Sequence, residues 1–543
     1  MTFNKHIAPI VFQECAVCHR PGESGPFNLL TYAEVKKQSA QIAKVTQSRF
    51  MPPWLPEEGF GDFAGKRRLS VEQLGLIQQW VADGSPEGLA ADLPPAPRWT
   101  DGWQLGPPDL IVQMPEAYTL PADGRDVYRH FVIPVPLTGK RHIRAFEFRA
   151  GTKVIHHAFI RVDATGQSRR LDAQEPGAGF GGMETPPSAS NPGGHFLSWQ
   201  PGRRPTKMPE GLSWTLSPPL DLVVQMHMQP SGKPESVQPR IGFYFTDRAP
   251  TNTPFKVNLS SFAIDIPAGA KDYPVQSSYT LPIDVELLGV LPHAHYLARR
   301  MEGTATLPDG TTQWLLLIKD WDFNWQSDFA YARPLLLPQG TKLAMRYTYD
   351  NSVDNVRNPH QPPQRVAYGP QSSDEMGELW LQMLPRQQGD LTRFEADYQK
   401  RVTLEAIEYN TLQLRRNPTN AHAHGQMAKA LIYQSKIDEA LVHLRRCVQL
   451  QPNNDEAHYH LGVLALQAKN LPAALAEFLE AIRYNPDYFK AHNNAGLVYL
   501  RQNRFDEAER HFHEALRINA EDTMALANLQ LIQQFRSGKK AGP

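Results

Sequence analysis

Cysteine is scarce in this 543-residue chain, which has only Cys15, Cys18 and Cys447. Three thiols exclude the dense disulfide framework of a small secreted domain. No stretch approaches the roughly 18 consecutive apolar residues that a membrane-spanning helix needs. Lys+Arg and Asp+Glu are equal at 56 each, so the overall charge gives no reason to expect nucleic acid or an acidic membrane surface as a partner.

The length exceeds what one hydrophobic core supports, so we expect several domains and a multidomain α + β fold. Helical spacing over 33–48 and 71–83, with Ser70 as an N-cap, predicts a small helical domain over 1–88. A Pro- and Gly-rich stretch over 89–108 predicts a linker or a draped segment.

Short β-prone runs punctuated by Pro and Gly fill residues 109–385 and predict two antiparallel β-sandwiches, with the join near 250–257. We place these domains at 109–252 and 253–385, and a connecting helix at 386–416. The predicted strands share β-branched and aromatic residues and cover Leu110–Val112, Tyr128–Pro134, Ile143–Phe148, Val154–Val162, Leu220–Met228, Ile241–Phe245, Val285–Val290, Trp314–Ile318, Lys342–Tyr349 and Leu379–Met383.

A 34-residue period runs through 417–543. Pro418, Pro452 and Pro486 are spaced by this interval, and Ala520 stands where a fourth proline would fall. Small residues recur at the same interval at Ala440, Ala474 and Ala508. The pattern predicts about three tetratricopeptide repeats forming an α-solenoid that binds a protein partner. So short an array should be stabilised by docking on the core or on the helix at 386–416.

The sequence Cys15-Ala-Val-Cys18-His19 is a CxxCH motif, typical of covalent c-type haem attachment. The thiols add to the porphyrin vinyl groups, and the imidazole then lies under the iron. A zinc knuckle is the alternative, but it needs a second ligand pair that the neighbourhood lacks. We predict Met51 as the sixth ligand, with His6 as the rival. The stretch resembles small class I cytochrome c domains.

Covalent haem attachment normally takes place outside the cytoplasm, so we predict a periplasmic or extracellular protein. The N-terminal residues show no charged segment followed by an apolar one, and no signal peptide is visible in this chain.

Histidine gives the β region its chemical character. His293 and His295 form an HxH pair, whose side chains point to the same face of a strand and can share one metal. The adjacent His156 and His157 can share an ion only if their strand bulges. The remaining candidates are His227 and Met376. We assign surface or core roles to the other histidines of the region, including His130, His142, His195 and His360.

The order HH, H, HxH and M resembles the type II ascorbate-dependent copper monooxygenases of the peptidylglycine α-hydroxylating and dopamine β-hydroxylating type. The resemblance covers about 109–385 and includes VIHHAFI, Gln225, and the run from HAHYLARRMEG to DEMGELW. It implies two copper ions, facing each other across a solvent cleft. By position the first would be held by His156, His157 and His227, and the second, catalytic copper by His293, His295 and Met376.

The same resemblance implies hydroxylation of a C–H bond of a small molecule or peptide with O2. The reaction consumes two electrons, which ascorbate delivers in the animal enzymes. We hypothesise that here the haem receives electrons from an electron-donor protein and passes them to the first copper. Two other functions stay open: a periplasmic electron-transfer or copper-binding protein, and a repeat scaffold that carries a redox module.

The chain departs from the family on the substrate side. Leu291 stands where peptide-hydroxylating members have an arginine that meets a substrate carboxylate, Trp380 replaces a tyrosine, and Glu378 replaces an asparagine. Loss of a cation and gain of an acid favour a neutral or cationic substrate over a C-terminal glycine. Residues 19–446 also contain no cysteine, so the disulfides of the vertebrate enzymes are missing.

Overall fold

The fold is that of a computed structural model, which describes residues 1–21, 23, 25–97, 102–182, 185–186, 188–201, 203, 205–369, 371–519 and 522–536. The chain divides into two compact units, Met1–Phe394 and Glu395–Pro543. None of the described helices combines the length and the apolar character needed to cross a bilayer. Ala520, the expected fourth position of the proline column, lies outside the described residues.

The N-terminal region is helical. Its first run comprises the π-helical Phe3–Ile7 and Val11–Cys15 on either side of α1 (Ala8–Ile10). It is followed by α2 (Tyr32–Lys37), α3 (Ser39–Gln47) and α4 (Val71–Ala82). These elements enclose a core that includes the fully buried Phe3, Ile7, Val11, Ile77 and Trp80.

Helix ends in this region follow from capping chemistry. The Ser70 hydroxyl oxygen accepts a hydrogen bond from the Gln73 N–H, and the Gln73 side-chain oxygen accepts one from the Ser70 N–H. The pair satisfies two free backbone donors at the start of the helix. The predicted N-cap is therefore confirmed. The single helix expected over 33–48 is wrong, because Gln38 leaves helical geometry with ψ 7° and separates α2 from α3.

The segment 89–108, predicted as a linker or a segment lying on the core, packs against the β region at Trp103, Gln104 and Leu105. A short 3₁₀ turn covers Ala90–Asp92. Trp103 is buried, and the backbone N–H groups of Gln104 and Leu105 donate to the carboxylate of Glu147. The segment thus supplies hydrogen bonds to a buried acid that would otherwise be costly.

The region from residue 110 to residue 385 is built from 21 described strands with one short helix. Each of the ten predicted runs coincides with a strand, although the runs that begin at Val154 and Leu220 start one residue before their strands. The bounds are β1 (Leu110–Gln113), β2 (Tyr118–Leu120), β3 (Val127–Pro134), β4 (Arg141–Arg149), β5 (Ile155–Asp163), α5 (Gln167–Asp172), β6 (Phe180–Gly181), β7 (Ser198–Trp199), β8 (Trp214–Leu216), β9 (Asp221–Met228), β10 (Glu235–Val237), β11 (Arg240–Thr246), β12 (Phe255–Ser260), β13 (Asp265–Ile266), β14 (Tyr273–Thr280), β15 (Val285–Ala294), β16 (Ala298–Thr306), β17 (Thr312–Ile318), β18 (Phe329–Leu337), β19 (Lys342–Tyr349), β20 (Val366–Ala367) and β21 (Gly377–Pro385), with further 3₁₀ turns at Pro192–Gly194, Phe323–Trp325 and Gln388–Asp390.

The strands pair antiparallel in six sheets. Strands β1 to β11 form the orders β1-β11-β4-β8, β10-β2 and β6-β3-β9-β5-β7, whereas β12 to β21 form β12-β21-β15-β18, β13-β20 and β14-β19-β16-β17. Among the described strands, none from the first set pairs with one from the second. The change of set falls between Thr246 and Phe255, close to the expected join.

The C-terminal region is helical from residue 391 onwards. Its helices are α6 (Leu391–Arg416), α7 (Ala421–Tyr433), α8 (Ile437–Leu450), α9 (Asp455–Gln467), α10 (Leu471–Tyr484), α11 (Phe489–Arg501), α12 (Phe505–Ile518) and α13 (Thr523–Arg536).

Small residues of the 34-residue period lie where helices of one repeat touch. A Cβ atom at Gly462 would lie 2.7 Å from the ring of Phe478, and one at Gly496 would lie 2.8 Å from Phe512. Such distances are shorter than van der Waals contact, so the column needs glycine beside these rings. Ile407 and Leu414 of α6 pack against the core of the first repeat, as expected for a short array that needs an additional helix.

Candidate functional site

Three histidines meet on one face of the sheet β6-β3-β9-β5-β7. His156 and His157 lie on β5, and His227 lies on the neighbouring β9, directly opposite His157. The register of the two strands shifts between Ile155 and His157, so the predicted bulge is confirmed. One ring nitrogen from each of the three residues lies within 4.8 Å of the other two. The sequence separation of about 70 residues is closed by a single strand pairing.

The ring nitrogens of this histidine trio have the arrangement of ligands. The Nδ1 atoms of His156 and His157 are 3.2 Å apart, and two imidazole nitrogens about 2.0 Å from one tetrahedral ion would be roughly 3.3 Å apart. The Nδ1 of His227 is buried and has no hydrogen-bond partner. Buried polar atoms without partners are uncommon, and a metal ion would account for this one.

Burial keeps two members of the trio, His156 and His157, in the form that binds metals. It lowers the pKa of His156 to about 4 and that of His157 well below its ordinary value, and the neighbouring His227 adds to both shifts. The neutral imidazole, which has a lone pair to donate, is therefore the stable form of both rings at neutral pH.

The second group lies where β15 and β21 pair. His293 is opposite Glu378, and Ala294 is opposite Gly377, so the ladder brings His295, just after β15, beside Met376, just before β21. The Nδ1 of His293 lies 2.5 Å from the Oε1 of Gln326, and the Nδ1 of His295 lies 3.1 Å from the carbonyl oxygen of Asp374. In each ring the Nε2 lone pair therefore remains available to a metal ion. Burial lowers the pKa of His295 to about 3.

Glu375 organises the backbone around this group. Its carboxylate is fully buried and accepts hydrogen bonds from the N–H groups of His295, Leu297 and Met376. Burial raises the pKa of Glu375 to about 8, although these backbone donors oppose the shift. One side chain thus ties the HxH segment to the segment that carries the methionine.

The ring of Phe323 separates the two groups. It stacks on His156 with centroids 5.1 Å apart and planes 20° apart, and its centroid lies 5.7 Å from that of His295. Phe323 is only 2% exposed. A buried aromatic ring therefore lies between His156 and His295.

A cavity of about 300 Å³ reaches both groups. His157 lines it from the first sheet, and His293, His295 and Met376 line it from the second, beside Phe323. All three predicted residues of the second group thus face one chamber, together with one member of the first. A cavity of this size suits a small ligand.

The CxxCH motif lies at the end of the first helical run. Cys15 is its last residue, and the N–H of His19 donates to the carbonyl of Cys15 at 2.9 Å. The Nδ1 of His19 lies 3.0 Å from the carbonyl oxygen of Phe27, which leaves Nε2 as the donor for a metal. Burial lowers the pKa of His19, so the neutral ring is favoured.

A larger cavity of about 690 Å³ opens beside this motif. Val17 and Cys18 form part of its wall, and β-region residues such as Arg149, Lys153 and Met208 form the rest. Its volume is within the range of about 300–1,000 Å³ that is usual for cofactor sites. The N-terminal region and the β region therefore enclose this space together.

The two candidates for a sixth ligand lie elsewhere. Met51 lines a small cleft with Arg49, Trp54 and Arg68, and the Nδ1 of His6 accepts a hydrogen bond from the N–H of Thr2. Neither is among the described residues that line the larger cavity. Met51 as the sixth ligand stays a prediction.

Several residues of the site carry no motif of their own. Asp126, whose carboxylate lies 2.7 Å from His227, is 101 residues away from it, and Phe323 belongs to a short 3₁₀ turn. Glu375 precedes the predicted Met376, but nothing in a single sequence indicates that its carboxylate turns inwards. The tertiary fold brings these residues to the histidines.

Comparison with known proteins assigns the C-terminal region. A family model described as tetratricopeptide repeat matches residues 426–483 and 472–523, so the expected repeats are confirmed there. No curated protein matches the chain. A solved crystal structure of MamA is 23% identical, covers 28% of this chain and 86% of its own, and has a TM-score of 0.24. A MamA RS-1 ArsTM double mutant is 20% identical, covers 25% and 78%, and has the same TM-score.

Proposed function

We propose that this chain is a copper-dependent monooxygenase that hydroxylates a C–H bond with O2 and carries a covalent c-type haem. The two antiparallel regions would be two β-sandwich copper domains, preceded by a cytochrome c-like domain. The observation that carries the proposal is that His157 of the histidine trio lines the same cavity as His293, His295 and Met376.

The donor sets favour copper. Three neutral imidazoles suit both Cu(I) and Cu(II), whereas a soft thioether beside two imidazoles favours Cu(I). A zinc site is the simplest alternative for the trio, but a methionine ligand argues against zinc in the second group. His156, His157 and His227 would hold one ion, and His293, His295 and Met376 the other, which borders the chamber. Bound copper would supply O2 activation and single-electron exchange there.

The chain's own residues prepare this chemistry. Burial holds the imidazoles of His156 and His295 neutral, and the buried ring of Phe323 lies between these two side chains. Gln326 and the carbonyl of Asp374 fix which nitrogen of His293 and His295 faces outwards. A pre-ordered site of this kind reduces reorganisation when ligands bind.

The haem assignment rests on the motif and on its surroundings. His19 keeps Nε2 as a donor, because Phe27 engages its Nδ1, and a cavity of about 690 Å³ adjoins Cys18. When bound, the haem would serve as an electron carrier, with a donor protein or ascorbate as the source of reducing equivalents. Because attachment needs an exporting maturation system, we propose a periplasmic or extracellular location.

Metal analysis combined with an optical spectrum tests the proposal. The full chain, matured in a host that attaches c-type haem, should contain two coppers and one covalent haem. His156→Ala and His293→Ala should each remove one copper and leave the haem spectrum unchanged, whereas the control His142→Ala should retain both. Wild-type protein that binds no copper, or one copper shared by both groups, would contradict it.

Product analysis separates enzyme from carrier. With isotopically labelled O2, a monooxygenase places one labelled oxygen atom in an organic product. Consumption of O2 without product across a broad substrate panel would instead favour a periplasmic electron-transfer or copper-binding protein.

A second role is supported by the repeats. Tetratricopeptide arrays present an extended face to protein ligands, and the match covers residues 426–523. We propose that this region recruits a protein partner. Deleting 417–543 should abolish partner capture and leave the copper content and the haem spectrum as they are, whereas a change in either would contradict separate roles.

A further inference from the structure

We infer that the cavity between the two histidine groups accepts a molecule with an anionic headgroup, which Arg161 and Lys256 bind. This inference rests on the proposed function, because it assigns a substrate class to the same chamber. Both cations line the cavity that His157, His293 and Met376 also line.

Arg161 lies on β5, on the same side as His157 and Phe159, because alternate residues of a strand share a face. Its guanidinium carbon is 5.9 Å from the ring centroid of Phe159. One guanidinium nitrogen is buried and has no hydrogen-bond partner. An arginine is almost never buried without a partner, so this nitrogen is available to a ligand.

Lys256 lies on β12 of the opposite sheet. Its ammonium is 5.7 Å from the ring centroids of both Phe196 and Trp380. Like Arg161, it forms no ion pair with any described residue. Burial lowers the pKa of Lys256 to about 8, and the nearby Arg161 contributes to the shift. Two half-buried cations therefore face one cavity and repel each other.

The acids of the cavity do not fully neutralise these two cations. Asp328 is paired with Arg203 at 2.9 Å. Glu378 accepts hydrogen bonds from the indole N–H of Trp380 at 2.9 Å and from the side chain of Asn258 at 3.4 Å. Arg161 and Lys256 thus outnumber Glu378, the one acid among the described lining residues that is not paired with a cation, and a positive charge remains in the chamber.

The neighbouring His195 and His130 are neutral at neutral pH, so they leave the charge of the cavity unchanged. Burial lowers the pKa of His195 to about 4, and Lys256 adds to the effect. His130 behaves in the same way beside Arg161. A further donor, the Nε2 of Gln200, is buried in the same lining without a partner. This surplus of donors matches the oxygen atoms of a carboxylate, phosphate or sulfate.

Strand geometry gives the length of the ligand. Arg161 is four residues beyond His157 on β5, which corresponds to about 13 Å at roughly 3.3 Å per residue. Lys256 is four residues from Ser260, the partner of Glu378, on β12, and this gives a similar span. The headgroup would therefore bind at one end of the chamber, with a short chain reaching towards His293, His295 and Met376.

Binding of straight-chain carboxylates tests this assignment. Hexanoate, octanoate and decanoate and their primary amides are compared by calorimetry on the full chain, with and without copper. We expect the wild-type protein to prefer carboxylate over amide about ten- to hundredfold. Lys256→Met and Arg161→Met should each weaken carboxylate binding and spare the amide, and the double variant should lose the preference. Lys256→Arg should retain it, as should the control Lys342→Met.

Three results would overturn the inference. They are equal binding of carboxylate and amide by the wild type, a preference that survives in the double variant, and a preference that disappears when copper is removed. The last result would make the anion a copper ligand. Because the metal-free protein is also measured, failure of this inference is distinguishable from failure of the proposed oxygenase, which copper content and labelled product report.

Discussion

The carboxylate of Asp126 lies 2.7 Å from the Nε2 of His227. Burial opposes ionisation of this carboxyl, but the hydrogen bond with His227 holds the pKa of Asp126 below its usual value. The ring of Tyr128 stacks on His227 from one side, with centroids 4.2 Å apart and planes 8° apart. His227 is thus fixed in orientation, and its Nδ1 remains for an ion.

Removing the charge of Asp126 should therefore weaken metal binding. We expect Asp126→Asn to lower copper affinity at the histidine trio about 10- to 100-fold, because the amide polarises the imidazole less. Competitive titration against a chromophoric chelator measures the change. Asp123→Asn, an exposed aspartate three residues earlier, is the control. Equal affinities in the two variants would show that Asp126 has no influence on the ligand.

Glu375→Gln should affect the other group selectively. Glutamine keeps one carbonyl acceptor but turns the second oxygen into an NH2 donor. Above about pH 8, where Glu375 is ionised, this donor would face backbone N–H groups from which Glu375 accepts hydrogen bonds. An unsatisfied buried donor costs about 1–3 kcal/mol, and the segments carrying His295 and Met376 should separate. We expect copper content to fall from two to one per chain.

Copper analysis and denaturant unfolding together check this expectation. Glu286→Gln, on the same strand as His293, should keep two coppers and wild-type stability. A Glu375→Gln protein with two tightly bound coppers would show that the backbone holds its geometry without this carboxylate.

How much could be predicted from the sequence depends on the range of each interaction. The repeats, the CxxCH motif and the bulge at His156 and His157 follow from local spacing, and they were predictable. Strand β14 was not, because its residues YPVQSSYT alternate weakly and it forms the edge of its sheet, where Pro274 is tolerated. Strand β16 has the sequence ARRMEGTAT, whose two arginines hide its buried alternation.

The electrostatics of the site could not be predicted at all. In the sequence, Leu291 and Glu378 favour a neutral or cationic substrate. In the fold, Arg161 and Lys256 line the same cavity from two different sheets and favour an anionic one. Asp126 reaches His227 across 101 residues. Such pairings depend on which strands become neighbours, and no local pattern contains that information.

The sixth haem ligand can be decided by two substitutions. Met51→Leu should remove the weak long-wavelength absorption typical of a methionine–iron bond and lower the reduction potential, since a thioether raises it. Met208→Leu is the matched variant, because Met208 lines the cavity beside Cys18. Loss of the band only in Met208→Leu would assign the ligand to the β region and exclude Met51.

The repeats contain a built-in comparison of acid sensitivity. At equivalent positions 34 residues apart, the Nδ1 of His458 lies 2.7 Å from the Oε2 of Glu477, whereas that of His492 lies 3.1 Å from the Nδ1 of His511. The hydrogen bond to Glu477 raises the pKa of His458. Burial, aided by His492, lowers the pKa of His511 to about 4.

The two pairs should respond to acid with opposite signs. A raised folded pKa gives stability that is fully present below the unfolded value and is lost as pH rises through the folded value, so acidification favours the His458–Glu477 pair. A depressed folded pKa gives stability that is present above about pH 6.5 and is lost as pH falls towards about 4.

Hydrogen exchange on the full chain at about pH 7.5 and about pH 5 should therefore show protection falling in α11 and α12 but not in α9 and α10. His511→Glu should remove that loss, whereas His513→Glu, at an exposed position two residues on, should not. Equal loss in both helical pairs, or no effect of His511→Glu, would assign the acid response to other groups.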